Sequence, residues 1–148
     1  MAGPVFTMRN ENPVYHPISM LSMVAQAING SYENVTELCT TFSEQEHEHG
    51  SLNDDELKRA RAVFEGGIEY VPYFAEQLRR WEQTNLTPFE RQEVIELTKT
   101  NSSLIKLYTD GIALIDRISP YTIDKIMAMN DVELALKILS GEIKSPRK

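Results

Sequence analysis

The feature that most constrains this chain is a spacing. Apolar side chains recur at alternating steps of three and four along three separate stretches. That period belongs to a helix face packed lengthwise on another helix. From Ile18 the positions are Ile18, Leu21, Ala25, Ile28, Tyr32, Val35, Cys39 and Phe42. From Leu57 they are Leu57, Ala60, Phe64, Gly67, Val71, Phe74, Leu78 and Trp81. From Val94 they are Val94, Leu97, Asn101, Leu104, Tyr108, Gly111, Ile115 and Ile118. The three seams predict helices over 17–46, 54–83 and 88–118, each about 45 Å long at 1.5 Å per residue.

The punctuation between the seams agrees. Asn53 or Asp54 can cap the second helix, with acids in its first turn, where the helix dipole favours them. Thr87-Pro88-Phe89-Glu90 is a capping box with proline at the first helical position. Ser119-Pro120 stops the third helix. Thr122 and Asn130 can cap two short helices over 122–129 and 131–140, the second closed by Gly141. Gly30 falls inside the first seam; Gly66, Gly67 and Pro72 fall inside the second. Each seam keeps phase across its breakers, so the first helix is expected to continue and the second to bend near Pro72 without breaking.

A turn this short, 84–87, makes the second and third helices an antiparallel hairpin. Leu78 should then face Val94, Phe74 Leu97, Val71 Asn101, Gly67 Leu104, Phe64 Tyr108, Ala60 Gly111 and Leu57 Ile115. Leu107, Ile112 and Leu114 lie off the third seam, so that helix should be covered on several sides. The fold class is all-α: an up-down bundle of three long helices with two short C-terminal ones. Residues 1–16, which hold Pro4 and Pro13 and run into Pro17, read as an extended arm. Residues 17–141 form one domain, and 142–148 a basic tail.

A 148-residue chain buries enough surface to fold without a staple. Cys39 is its single cysteine, so an intrachain disulfide is ruled out and a reducing, cytoplasmic compartment is the simplest expectation. The N-terminal stretch MAGPVFTMRNENP has no charged region followed by an apolar one, so no secretory signal is expected. Asn29, Asn34, Asn85 and Asn101 match the glycan-acceptor pattern, but Asn85 belongs to a turn and Asn101 to a seam. The net charge of −7, with no basic stripe, argues against nucleic acid and anionic membrane as partners.

Few residues suggest chemistry. In the run SEQEHEHGSLNDDE (43–56), His47 and His49 offer a weak metal pair. A built site needs a third or fourth ligand, so a solvated acidic loop is expected and no metal. Glu90, Glu93 and Glu96 recur every three residues on the third helix, as carboxylates that hold Mg²⁺ for phosphate hydrolysis do. Asn101 on the seam beside Gly67, with Tyr108 nearby, could line a small-ligand pocket; the plainer role is fixing register or accommodating the kink. No Gly-rich phosphate loop or Cys-x-x-Cys pair is present, and Cys39 lies on an apolar seam. The expectation is therefore a non-enzymatic protein without a cofactor. It would act as an adaptor, chaperone-like or regulatory factor through protein–protein interaction. Val5, Phe6 and Tyr15 of the arm and Leu134 and Ile138 of the last helix are the candidate contact residues. Most of the apolar set in NDVELALKIL is expected to cover the bundle. A homodimer is compatible with the off-seam apolar residues.

Overall fold

The computed structural model describes residues 14–143, all of whose long elements are helical. A 3-10 turn, Ile18–Met20, leads into α1 (Leu21–Gln45). α2 spans Asp54–Glu82 and α3 Pro88–Ile118. A second 3-10 turn, Ser119–Tyr121, leads to α4 (Ile123–Ala128) and α5 (Asp131–Leu139). α1 continues through Gly30 and α2 through Pro72, so the phase of the seams was the better guide than the breakers.

The ends are set by side chains that take up otherwise orphaned N–H groups. Asn53 and Glu56 form a reciprocal capping box at α2, and Thr87 and Glu90 form another at α3. Thr122 accepts from the Lys125 amide at α4, and Asn130 from the Glu133 amide at α5. Gly141, at φ +82°, closes α5 in the left-handed region.

α3 is the central rod. It packs along both α1 and α2, which touch each other far less. Seven of the eight α2 seam positions are buried, and half-buried Gly67 is the eighth. All eight on α3 are buried. On α1 the face is rotated from the expected one: Val24 is fully buried, Tyr32 is exposed, and Ser31 meets Tyr108 in its place. A helix at 3.6 residues per turn drifts from a strict 3.5 spacing over several turns.

At the centre of the α2–α3 hairpin the aromatic side chains fill the gaps that the glycines leave. Phe64 does lie beside Tyr108, with ring centroids 6.2 Å apart. Gly111 is covered by the Phe64 ring, and Gly67 by the Tyr108 ring. The two pairs are reciprocal. An aromatic and a glycine three residues apart on α2 interlock with a glycine and an aromatic three residues apart on α3. Each ring occupies the space its opposite glycine leaves, and this closes the core.

The loop 46–53 is also more structured than a solvated acidic run. Its Gly50 amide donates to the Tyr121 carbonyl at 2.9 Å, and the Ile123 amide donates to the Leu52 carbonyl at 2.8 Å. Leu52 is buried and His49 stacks on Tyr121. The start of α2 is pinned likewise: Asp54 accepts from the Thr122 hydroxyl at 2.6 Å and from Lys125 at 3.0 Å. Backbone groups in a loop must find partners, and here the α3–α4 connection supplies them.

Candidate functional site

The most exposed apolar surface lies at the C-terminal end of the described chain. α5 is nine residues long and apolar on two faces. Its inner face carries Leu134 and Ile138, both half-buried. Buried Ile143 follows, and its amide returns to the Lys137 carbonyl at 3.2 Å. Its outer face carries Val132, Ala135, Leu136 and Leu139, spaced i, i+3, i+4, i+7, which is one helical stripe. Val132 is 70% exposed, Leu136 62% and Leu139 83%, and Met127 on α4 is 77% exposed. Large apolar side chains this exposed are common singly; here three of them share one helical stripe.

Charge frames the stripe unevenly. Asp131 and Glu133 stand at its N-terminal end, where they also suit the α5 dipole. Lys137, one turn after Glu133 on the same flank, pairs with Glu142 at 2.7 Å. That carboxylate raises the Lys137 pKa, so the ammonium stays charged.

Leu134 and Ile138, the two expected contact residues on this helix, thus face inward, and the larger stripe faces out. The composition of α5 could have revealed two apolar faces, four residues against two. It could not reveal which one the body covers.

Of the arm residues, Val5 and Phe6 lie outside the described part of the chain. Tyr15 is in place against α2. It stacks on Tyr73 at 5.2 Å, with the Arg80 guanidinium 3.9 Å from its ring centroid. The Gln77 side chain accepts from the His16 amide at 2.7 Å and donates to the His16 carbonyl at 3.2 Å. Trp81 donates to the same carbonyl at 2.9 Å, and the Tyr73 hydroxyl donates to the Val14 carbonyl. Tyr15 is therefore half-buried in an intramolecular clasp. Gln77, 1% exposed, is a residue the seam pattern does not single out.

Gly67, Asn101 and Tyr108 come together, but the Tyr108 ring fills the space beside Gly67. Burial pushes the Tyr108 pKa up, and a hydrogen bond with Ser31 opposes the shift. Asn101 donates to the Val71 carbonyl, the one bonded to Pro72, at 3.0 Å. Its own Oδ1 is buried without a partner among the described residues.

Glu90 is half-occupied by its capping role, and Glu96 accepts from Gln92 at 2.9 Å. Glu90 and Glu93 line a groove of about 670 Å³ between α1 and α3, together with Leu21, Ala25 and Phe89. Among the described residues no three His, Cys, Asp or Glu side chains gather into a set able to hold a metal ion, His47 and His49 included. Cys39 is half-buried, and burial followed by nearby Asp110 pushes its thiol pKa up, away from the reactive thiolate. No described helix is long and apolar enough to cross a membrane. No protein-family model matches the chain, and no curated protein or solved structure matches it either.

Proposed function

We propose that this chain is a non-enzymatic protein that works in the cytosol by contacting other protein surfaces, and that α5 is its point of contact. The observation that carries the reading is the outward stripe Val132–Ala135–Leu136–Leu139, held on a capped helix whose opposite face, Leu134 and Ile138, is half-buried. An apolar stripe at this spacing is the shape by which a helix engages a groove or another helix. The capping bond of Glu90, the bond of Glu96 with Gln92 and the lack of any clustered set of three acid or metal-binding side chains among the described residues favour this reading over Mg²⁺-dependent hydrolysis by Glu90, Glu93 and Glu96. The Tyr108 ring beside Gly67 favours it over a ligand pocket there.

A photo-crosslinking amino acid at position 136, with one at exposed position 99 as control, tests the proposal in the source cell. A discrete protein adduct at 136, identified by mass and absent at 99, is the expected result. With the purified adduct partner, Leu139→Glu should then weaken binding at least about tenfold. Equal labelling at both positions, or none at 136, overturns it.

A further inference from the structure

α1 and α2 touch each other far less than either touches α3, and a crease runs between them. We propose that the N-terminal arm lies along this crease as a strap, with Phe6 seated in an apolar depression at its far end. The inference is independent of the reading of α5. The depression, of about 330 Å³, is lined by Leu38 and Phe42 of α1 and by Glu56, Arg59, Ala60 and Val63 of α2. Val63 is 55% exposed and Leu38 half-buried. A phenyl ring placed there removes apolar surface from water on both helices.

The place where the described arm ends, and its direction, select the occupant. The arm runs down α2 towards the depression. His16 is bonded by Trp81 and Gln77, and Val14 is bonded by Tyr73, lower on the same helix. Arg59, Val63, Tyr70, Tyr73 and Gln77 follow one another at steps of four, seven, three and four, which is one helical face. The clasp at Tyr73 and the depression at Val63 therefore share a face of α2. Val63 lies about 15 Å below Tyr73, and Ala60 about 20 Å, at 1.5 Å per residue. Residues 1–13 lie outside the described part of the chain. Phe6 comes eight residues before Val14, and an extended segment of that length spans about 26 Å. It reaches the depression with slack to spare. Pro13, next to Val14, favours the extended backbone that this path needs. Side chains alternate along such a backbone, so Met8 follows Phe6 onto the α2 side.

A benzophenone photo-crosslinker at position 6 of the full chain locates the contact. Irradiation of the purified protein in dilute solution should give an adduct of single-chain mass. Its peptide map should join position 6 to residues 38–42 or 59–63. An adduct of twice that mass puts a second copy's arm in the crease and overturns the strap. A join elsewhere in the chain overturns it too, as does the absence of any adduct, which leaves the crease to an outside partner. Trypsin cleavage after Arg9 gives a second readout, because a protease cuts the released arm. Phe6→Ala, and Val63→Glu at an exposed position, should each speed this cleavage about tenfold, the worth of one partly buried apolar side chain. Cleavage after Lys99 in α3 should keep its wild-type rate and so report an intact bundle. Phe6→Ala decides the matter if Val63→Glu loosens the bundle. Equal rates after Arg9 in the wild-type chain and Phe6→Ala overturn the proposal.

Discussion

Glycine has opposite effects at neighbouring positions of α2. A Cβ added at Gly66 meets nothing within 4 Å, whereas one at Gly67 falls 2.3 Å from the Tyr108 ring. Gly66→Ala should therefore stabilise by about 0.5–1 kcal/mol through helix propensity alone. Gly67→Ala should destabilise, because overpacking costs about 1–3 kcal/mol and Tyr108 is held by its bond with Ser31. Gly111→Ala, whose Cβ would lie 2.7 Å from Phe64, should behave like Gly67→Ala. Thermal melts of the three variants check this, at about 3 °C per kcal/mol for a chain of this size. Asn101 offers a second residue-scale test. Its single hydrogen bond is partly offset by a partnerless Oδ1. Asn101→Leu should cost no more than about 1.5 kcal/mol. Asn101→Asp buries an unpaired charge and should cost about 3 kcal/mol or more at pH 7. The deficit of the Asp variant should shrink as pH falls and the new carboxyl protonates, which denaturant titration across pH measures. Asn101 on its seam was legible in the sequence. The interlocked rings were not, because spacing says which faces meet but not which ring enters which gap.

At the scale of an element, residues 14–16 show how an irregular segment is held. Their backbone groups are bonded by Gln77, Trp81 and Tyr73 from one face of α2. The Arg80 guanidinium covers Tyr15 while pairing with Glu76 at 2.9 Å. Hydrogen bonds from Arg79 and Arg80 hold the Glu76 carboxyl down to about 2. A carboxyl whose folded pKa is depressed stabilises above its unfolded value and loses that contribution as pH falls through the folded one. Glu76 is solvent-accessible, so the effect is modest and screened by salt. Glu76→Gln should lower the melting temperature slightly at pH 7. The wild-type and variant curves should converge as pH drops from 4.5 towards 2, and 1 M salt should shrink the gap. A seam pattern marks Trp81 but not Gln77, since a polar residue off the apolar period reads as solvent-facing until a backbone arrives to bond it.

Across the whole molecule, stability is concentrated along α3. The main core draws on α1, α2, α3 and Leu52, while Ile126 and Ile143 are buried apart from it. α5 contributes no fully buried residue. Hydrogen exchange should therefore find α5 amides opening locally, well before those of α3 between Leu104 and Ile115, which need global unfolding. Equal protection of the two segments would contradict this distribution of packing.

The sequence by itself determined the number, length and order of the helices, their caps and turns, and the buried faces of α2 and α3. Those follow from local rules: apolar period, side-chain bonds to the first amides, and the shortness of the 84–87 turn. Only the tertiary structure decided which aromatic fills which glycine gap, how α1 rotates on α3, and which of two apolar faces α5 presents outward. These outcomes depend on which neighbour claims a surface first. A helix with two greasy sides has no local property that tells them apart, and only the shape of the body beneath it does.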